Sequence, residues 1–157
     1  MYIYLYTMNK FINDLNTGKY YETLFLNHIK FKDYERPDGY FKEYDIKVYK
    51  NNGGISTYEV KSDKQINIYG NICIEYMCKN KPSGIITSTA KYWAIFEPKG
   101  DQYALYKIPS KIIRDYIENK KYKRLCKGGD NKASRLVIFD KNLFKDYIIY
   151  NDIDGYN

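Results

Sequence analysis

Three side chains combine types and spacing that could do chemistry: Asp45, Glu59 and Lys61. They lie on two apolar-alternating arms, Phe41-Lys-Glu-Tyr-Asp-Ile-Lys-Val-Tyr-Lys50 and Ile55-Ser-Thr-Tyr-Glu-Val-Lys-Ser-Asp-Lys64, joined by Asn51-Asn-Gly-Gly54. Alternation of Tyr44, Ile46 and Val48 with charged neighbours, and of Tyr58 and Val60 with theirs, reads as two half-buried strands. The glycine-bearing joint reads as a hairpin turn. Were Lys50 opposite Ile55, Ile46 would face Glu59 and each apolar row would meet a charged one, which is penalised. An odd-length loop with a glycine bulge instead sets Tyr44 opposite Val60, Ile46 opposite Tyr58 and Asp45 opposite Glu59. Carboxylates so opposed have Cβ atoms roughly 4.5–5.5 Å apart and repel unless a cation lies between them. Two hard oxygen ligands suit Mg²⁺ or Mn²⁺.

An acid, a gap and then acid-any-Lys across a hairpin resembles the active-site pattern of the PD-(D/E)XK, or restriction-endonuclease-like, nuclease superfamily. The resemblance implies Asp45 and Glu59 as metal ligands and Lys61 as the catalytic lysine beside the attacking water. Tyr44 stands where the motif's proline would precede the aspartate. Family members often add a carboxylate from the first helix, which makes Glu22 the candidate here; a glutamate favoured by the helix dipole is the plainer reading. Farther on, Gly70-Asn-Ile-Cys-Ile-Glu-Tyr76, Lys81-Pro-Ser-Gly-Ile85 and Thr89-Ala-Lys-Tyr-Trp93 are similar to small phage and viral nucleases of the same superfamily. That similarity implies Glu75 as a support for the metal site. A salt bridge from Glu75 to Lys91 or Lys61 is the alternative.

The tripeptide pattern alone discriminates poorly, since Asp45/Lys47, Glu97/Lys99, Glu118/Lys120 and Asp130/Lys132 share it. Glu97 precedes a proline at a strand end, Glu118 falls in a helical stretch and Asp130 follows two glycines in a turn. Asp45/Lys47, with Asp33 or Asp38 upstream, is the serious rival. The whole face also fits an ordinary solvated hairpin.

Composition narrows the other choices. A length of 157 residues suits one domain over 1–157 with a sizeable core. Three cysteines, Cys73, Cys78 and Cys126, lack metal-type spacing and read as reduced thiols of an intracellular protein. The single histidine, His28, cannot build a multi-histidine zinc site and falls in an apolar helical run, so a packed role is expected. No stretch approaches the roughly 20 apolar residues of a membrane span. A net charge of +7 suits an anionic partner, and 20 tyrosines offer stacking surfaces, although AT-rich coding also enriches Lys and Tyr and hints at a phage or viral source.

The elements that must position these residues read as follows. An apolar strand or arm opens the chain, and Lys19 to Lys32 is an amphipathic helix carrying Tyr21, Leu24, Phe25 and His28 on one stripe. A charged loop over 33–39 leads into the hairpin. Strands follow at 72–78, where Glu75 sits among apolar neighbours and needs a partner, and at 92–96 and 103–108, joined by a turn at Pro98-Lys-Gly-Asp101. Trp93 is expected in the core. Ser110 caps a helix to 122 with Ile112, Ile113, Tyr116 and Ile117 buried. Lys111, Arg114, Lys120, Lys121, Lys123 and Arg124 form the densest basic cluster, which could grip phosphates or simply be solvated. A mobile basic loop over 127–135 adds Lys132 and Arg135, with Ser134 as a further phosphate donor. A strand at 135–140 and a short element at 144–150 close the chain.

The expectation is an α/β fold, a central mixed β-sheet flanked by helices, with the resemblance implying a restriction-endonuclease-like core. The expected function is hydrolysis of DNA phosphodiester bonds with Mg²⁺ or Mn²⁺ held by Asp45, Glu59, Glu22 and Glu75. DNA is the expected partner, with no membrane and a homodimer compatible. A noncatalytic nucleic-acid-binding or host-defence inhibitor module of viral origin is the alternative.

Overall fold

The computed structural model describes the backbone of residues 2–153 and the side chains of residues 13–153. Helix α1 (Tyr2–Leu26) is followed by β1 (Asp33–Glu35), β2 (Ile46–Tyr49), β3 (Ile55–Ser62), α2 (Gln65–Tyr69), β4 (Asn71–Cys78) and β5 (Lys81–Pro82). A 3-10 turn at Gly84–Ile86 leads to β6 (Tyr92–Lys99), β7 (Gln102–Pro109), α3 (Ser110–Glu118), β8 (Arg124–Gly128), β9 (Ser134–Asp140) and β10 (Ile148–Asn151). A six-stranded sheet is ordered β1-β2-β3-β6-β7-β10, and a four-stranded sheet β5-β4-β9-β8. The first sheet is mixed because β3 and β6 run parallel while its other neighbours are antiparallel. A fold of mixed α/β class with a central mixed sheet is thus the observed one, and the separate second sheet was not foreseen.

The two faces of the central sheet bury different sets. Ile46, Val48, Tyr58, Val60, Ala94, Phe96 and Leu105 pack with Phe25 and Leu26 of α1. The Tyr21 ring meets Phe96 at 4.9 Å and the Phe25 ring meets Tyr58 at 4.8 Å, both tilted, so positions four apart on α1 meet two strands. On the other side Trp93, Ile95, Tyr106 and Ile108 share a core with Ile72, Ile74, Val137 and Phe139 of the second sheet and with Ile113 of α3. Trp93 is 2% exposed, as expected of a core residue.

Several boundaries differ from the sequence reading. The expected N-terminal strand or arm and the helix expected to start at Lys19 are instead one helix ending at Leu26 rather than at Lys32. Helical hydrogen bonding tolerates a single Gly18 at a cost of about 1 kcal/mol, and the Thr17 and Thr23 hydroxyls fold back onto carbonyls one turn earlier. The charged loop contains a short edge strand, β1, because Lys32 N–H and the register Glu35↔Lys47 tie it to β2. The helix expected to reach 122 ends at Glu118, and Ser110 does not cap it, since its hydroxyl donates to Ala90 O at 2.5 Å. Most of the anticipated loop at 127–135 is ordered structure, with β8 paired to β9 around a turn at Asp130–Lys132. The polar tail from 154 lies outside the described residues.

Candidate active site

The hairpin has the register that alternation demands. Ile46 pairs with Tyr58 and Tyr49 with Ile55, and the loop closes through Lys50 N–H to Gly54 O at 2.8 Å and Gly53 N–H to Lys50 O at 3.0 Å. Gly53 takes φ +83°, the left-handed conformation of a bulged turn. This one-residue adjustment sends Tyr58 and Val60 to the α1 face and Glu59 and Lys61 to the opposite one. Parallel pairing then places Glu59 beside Trp93 and Lys61 beside Ile95.

Asp45 sits just before β2, at the end of the ladder. Its N–H donates to Tyr58 O at 2.9 Å, and its carboxylate Oδ2 accepts Val60 N–H at 2.7 Å. One carboxylate oxygen is therefore fixed on β3, within the electrostatic reach of Glu59 and Lys61. Glu59 is 12% exposed and its Oε1 meets Lys61 Nζ at 2.7 Å, with Lys61 52% exposed. Burial pushes the Glu59 carboxyl above its ordinary pKa, with Lys61 opposing the shift and the negative charge of Asp45 adding to it. Burial pulls the Lys61 ammonium down, but Glu59 and Asp45, with a smaller contribution from Glu75, more than offset this and raise its pKa. Lys61 consequently remains an ammonium at neutral pH, a donor and point charge rather than a base.

Glu22 of α1 joins the same field. Its carboxyl is raised by burial and then by Asp45, against the lowering effects of Arg36, Lys19 and Lys61. Arg36 Nε lies 3.5 Å from Glu22 Oε2, and the Arg36 guanidinium also donates to Thr23 Oγ1 at 3.0 Å. Glu75 takes neither of the lysine partners considered for it. The Ser83 hydroxyl donates to its Oε1 and the Ser134 hydroxyl to its Oε2, both at 2.5 Å. Gly84, at φ +53°, lets the 84–86 turn approach so closely that an added Cβ would run into the Glu75 carbonyl. Glu75 is thus an anchored carboxylate whose charge is felt at Lys61.

Asp45, Glu59 and Lys61 are brought together on one end of the hairpin, with Glu22 contributed by α1. Among the described residues no group of three or more His, Cys, Asp and Glu side chains is close enough to hold a metal ion. Asp45 and Glu59 are the two carboxylates here that could take a hard divalent cation, and the negative charge of Asp45 adds to the upward shift of Glu59. In the rival Asp45/Lys47 pattern, Lys47 Nζ meets Glu35 of the neighbouring edge strand at 3.2 Å.

The anticipated basic cluster is dispersed. Arg114 donates to Ile85 O at 3.1 Å and Ser88 O at 2.7 Å, binding α3 to the 84–88 segment. Lys121 lies over the Tyr116 ring, and Lys123 bonds Asp140 at 3.3 Å and Asn71 at 2.8 Å. Lys111, Lys120 and Arg124 are exposed. Lys132 and Arg135 instead line a pocket with Lys79, Asn80, Lys127 and Ala133. Sequence reasoning missed Lys79 and included Lys127 only as the start of the basic loop, since strand pairing and the β4–β5 turn are what bring the two together.

His28 is packed, its Nε2 2.7 Å from Tyr103 OH and its ring 4.6 Å from that of Tyr150, and burial lowers its pKa. The cysteines Cys73, Cys78 and Cys126 are unpaired thiols. No helix among the described residues is long and apolar enough to cross a membrane. Comparison with protein-family models, with curated proteins and with solved structures finds no match.

Proposed function

We propose that this chain is a divalent-metal-dependent deoxyribonuclease with a restriction-endonuclease-like core, hydrolysing DNA phosphodiester bonds at Asp45, Glu59 and Lys61. The observation that carries the reading is the meeting of these three side chains in the register the hairpin enforces, with Glu22 of the first helix in the same electrostatic field. Asp45 and Glu59 would hold Mg²⁺ or Mn²⁺, with Glu22 beside them and Glu75 behind. Such an ion, when bound, supplies positive charge to the phosphate and acidifies a water. Val60 N–H fixes Asp45, so one carboxylate is already oriented before any ligand arrives. Lys61, held in its charged form by Glu59 and Asp45, donates hydrogen bonds to the attacking water and to negative charge developing on the phosphate oxygens.

The deciding measurement is cleavage of linear, circular and branched DNA with and without Mn²⁺, beside Asp45→Ala and Glu59→Ala proteins. Metal-dependent products from the parent chain and their loss by at least about a hundredfold in both variants are expected. Wild-type cleavage by Glu59→Ala would remove the assignment. A second reading, a noncatalytic nucleic-acid-binding module, is favoured by the direct Lys61–Glu59 contact, which already neutralises one carboxylate. That module would retain DNA in a salt-dependent way without binding Mn²⁺ in calorimetry.

A further inference from the structure

We infer that the pocket formed by Lys79, Lys127, Lys132 and Arg135 binds a terminal phosphate of a nucleic-acid strand. The inference deepens the proposed function and rests on it for the nature of the strand, whereas the phosphate chemistry follows from the pocket itself.

Strand pairing supplies the first argument. Lys127 of β8 is the direct partner of Arg135 on β9, which puts two cations on one face of an antiparallel pair. Like charges so opposed destabilise a sheet unless an anion lies between them. The second argument is convergence from two other segments. Lys79 is delivered by the β4–β5 turn, whose backbone N–H donates to Ala133 O at 2.9 Å, and Lys132 by the β8–β9 turn. Lys79, Asn80, Asn131 and Lys132 all adopt positive φ between 48° and 59°, so each turn holds a lysine, beside a tolerant asparagine, in a backbone region that lysine disfavours.

Charge and size then select the ligand. The lining contains four cations and no carboxylate. A phosphate monoester carries about −1.5 to −2 charges at neutral pH, whereas each backbone diester carries one. Four cations therefore match a strand end better than an internal phosphate. The pocket is about 240 Å³, below the ~300 Å³ at which sites for drug-sized ligands begin. It suits a phosphate and part of its sugar, with the rest of the strand outside.

Ser134, between the lining residues Ala133 and Arg135, donates its hydroxyl to Glu75 and so anchors the start of β9 beneath the pocket.

The test is fluorescence anisotropy of the full chain in EDTA with short oligonucleotides ending in 5′-phosphate, 3′-phosphate or hydroxyls. Tighter binding of one phosphorylated end by about tenfold is expected, the worth of one charge-assisted contact. Lys127→Ala/Arg135→Ala should erase that preference. If this double variant does not fold, Lys79→Gly/Lys132→Gly removes two cations at positions where glycine relieves the backbone, and should also erase it. Equal affinity for phosphate and hydroxyl ends, a preference surviving in a folded variant, or a mononucleotide or inorganic phosphate competing as well as the strand end would each overturn the inference. A phosphate preference retained by Glu59→Gln supports the pocket even where cleavage is absent, so its failure and that of the nuclease reading are separable.

Discussion

Asp45 performs two tasks that substitution can separate. Its Oδ2 satisfies Val60 N–H, and its charge acts on Glu22, Glu59 and Lys61. Asp45→Asn retains an acceptor for Val60 and should melt within a few degrees of the parent, whereas Asp45→Ala leaves that donor unpartnered and should cost about 1–3 kcal/mol in denaturant unfolding. Both should abolish Mn²⁺ binding in calorimetry. The raised carboxyls of Glu22 and Glu59 give a second prediction at this scale. In EDTA, a glutamate whose folded pKa exceeds its ordinary value of 4.5 costs stability as pH rises from that value through the folded one. Glu22→Gln/Glu59→Gln removes the ionisation, so its melting temperature should fall less than that of the parent between pH 4.5 and neutrality. Cys73 is pushed up to about 11 by burial and by Asp63. It should resist alkylation at pH 8 until the protein unfolds, as thiols rather than thiolates react poorly.

At the scale of elements, the segment between β5 and β6 is held as firmly as a strand. Arg114 clamps its carbonyls at 85 and 88, and Ser88 Oγ donates to Glu43 O at 3.1 Å from the approach to β2. Arg114→Ala should lower stability by about 1.5–3 kcal/mol, the worth of charged hydrogen bonds. It should leave the salt dependence of DNA retention unchanged, which a phosphate-gripping arginine would not do. Gly84→Ala should destabilise the chain more than Gly100→Ala, because only Gly84 is pressed against another backbone. The same scale explains what was legible in the sequence. Alternation in Tyr44-Asp-Ile-Lys-Val48 and Thr57-Tyr-Glu-Val-Lys61 carries the register, since a slip would bury charge. The stripe on α3 and the strands around Trp93 and Tyr106 are legible for similar reasons. The first helix hides because Tyr2-Ile-Tyr-Leu-Tyr6 has strand-like residues and Gly18 resembles a stop. β8 hides because Arg124-Leu-Cys-Lys-Gly128 is mostly exposed and lacks a clean alternating apolar row. Glu75's partners, Ser83 and Ser134, and the Lys127–Arg135 pair are set by pairing across distant segments, which spacing does not encode.

Across the whole molecule, part of the basic excess among the described residues is paired with carboxylates. The chain carries +7 overall, yet Lys47, Lys61, Lys123 and Lys141 are each within 4 Å of a carboxylate. Lys141 meets the fully buried Glu97 at 2.7 Å, and Tyr106 OH and Asn67 Nδ2 supply further bonds to that carboxylate. This buried pair lies in the core shared by the two sheets, and removing only one partner should be far more damaging than removing both. Lys141→Met should destabilise by about 3–5 kcal/mol, and Glu97→Leu/Lys141→Met should recover much of that loss, as read by chemical denaturation.

The order of strands along the chain has its own consequence. β4 and β5 of the smaller sheet are spelled out between β3 and β6 of the larger one, and β8 and β9 come before β10 closes the larger sheet on β7. Neither layer is therefore a contiguous stretch that could be expressed by itself. A nick between 63 and 91 would leave both layers dependent on non-covalent reassembly, and heat should melt the two together in a single transition.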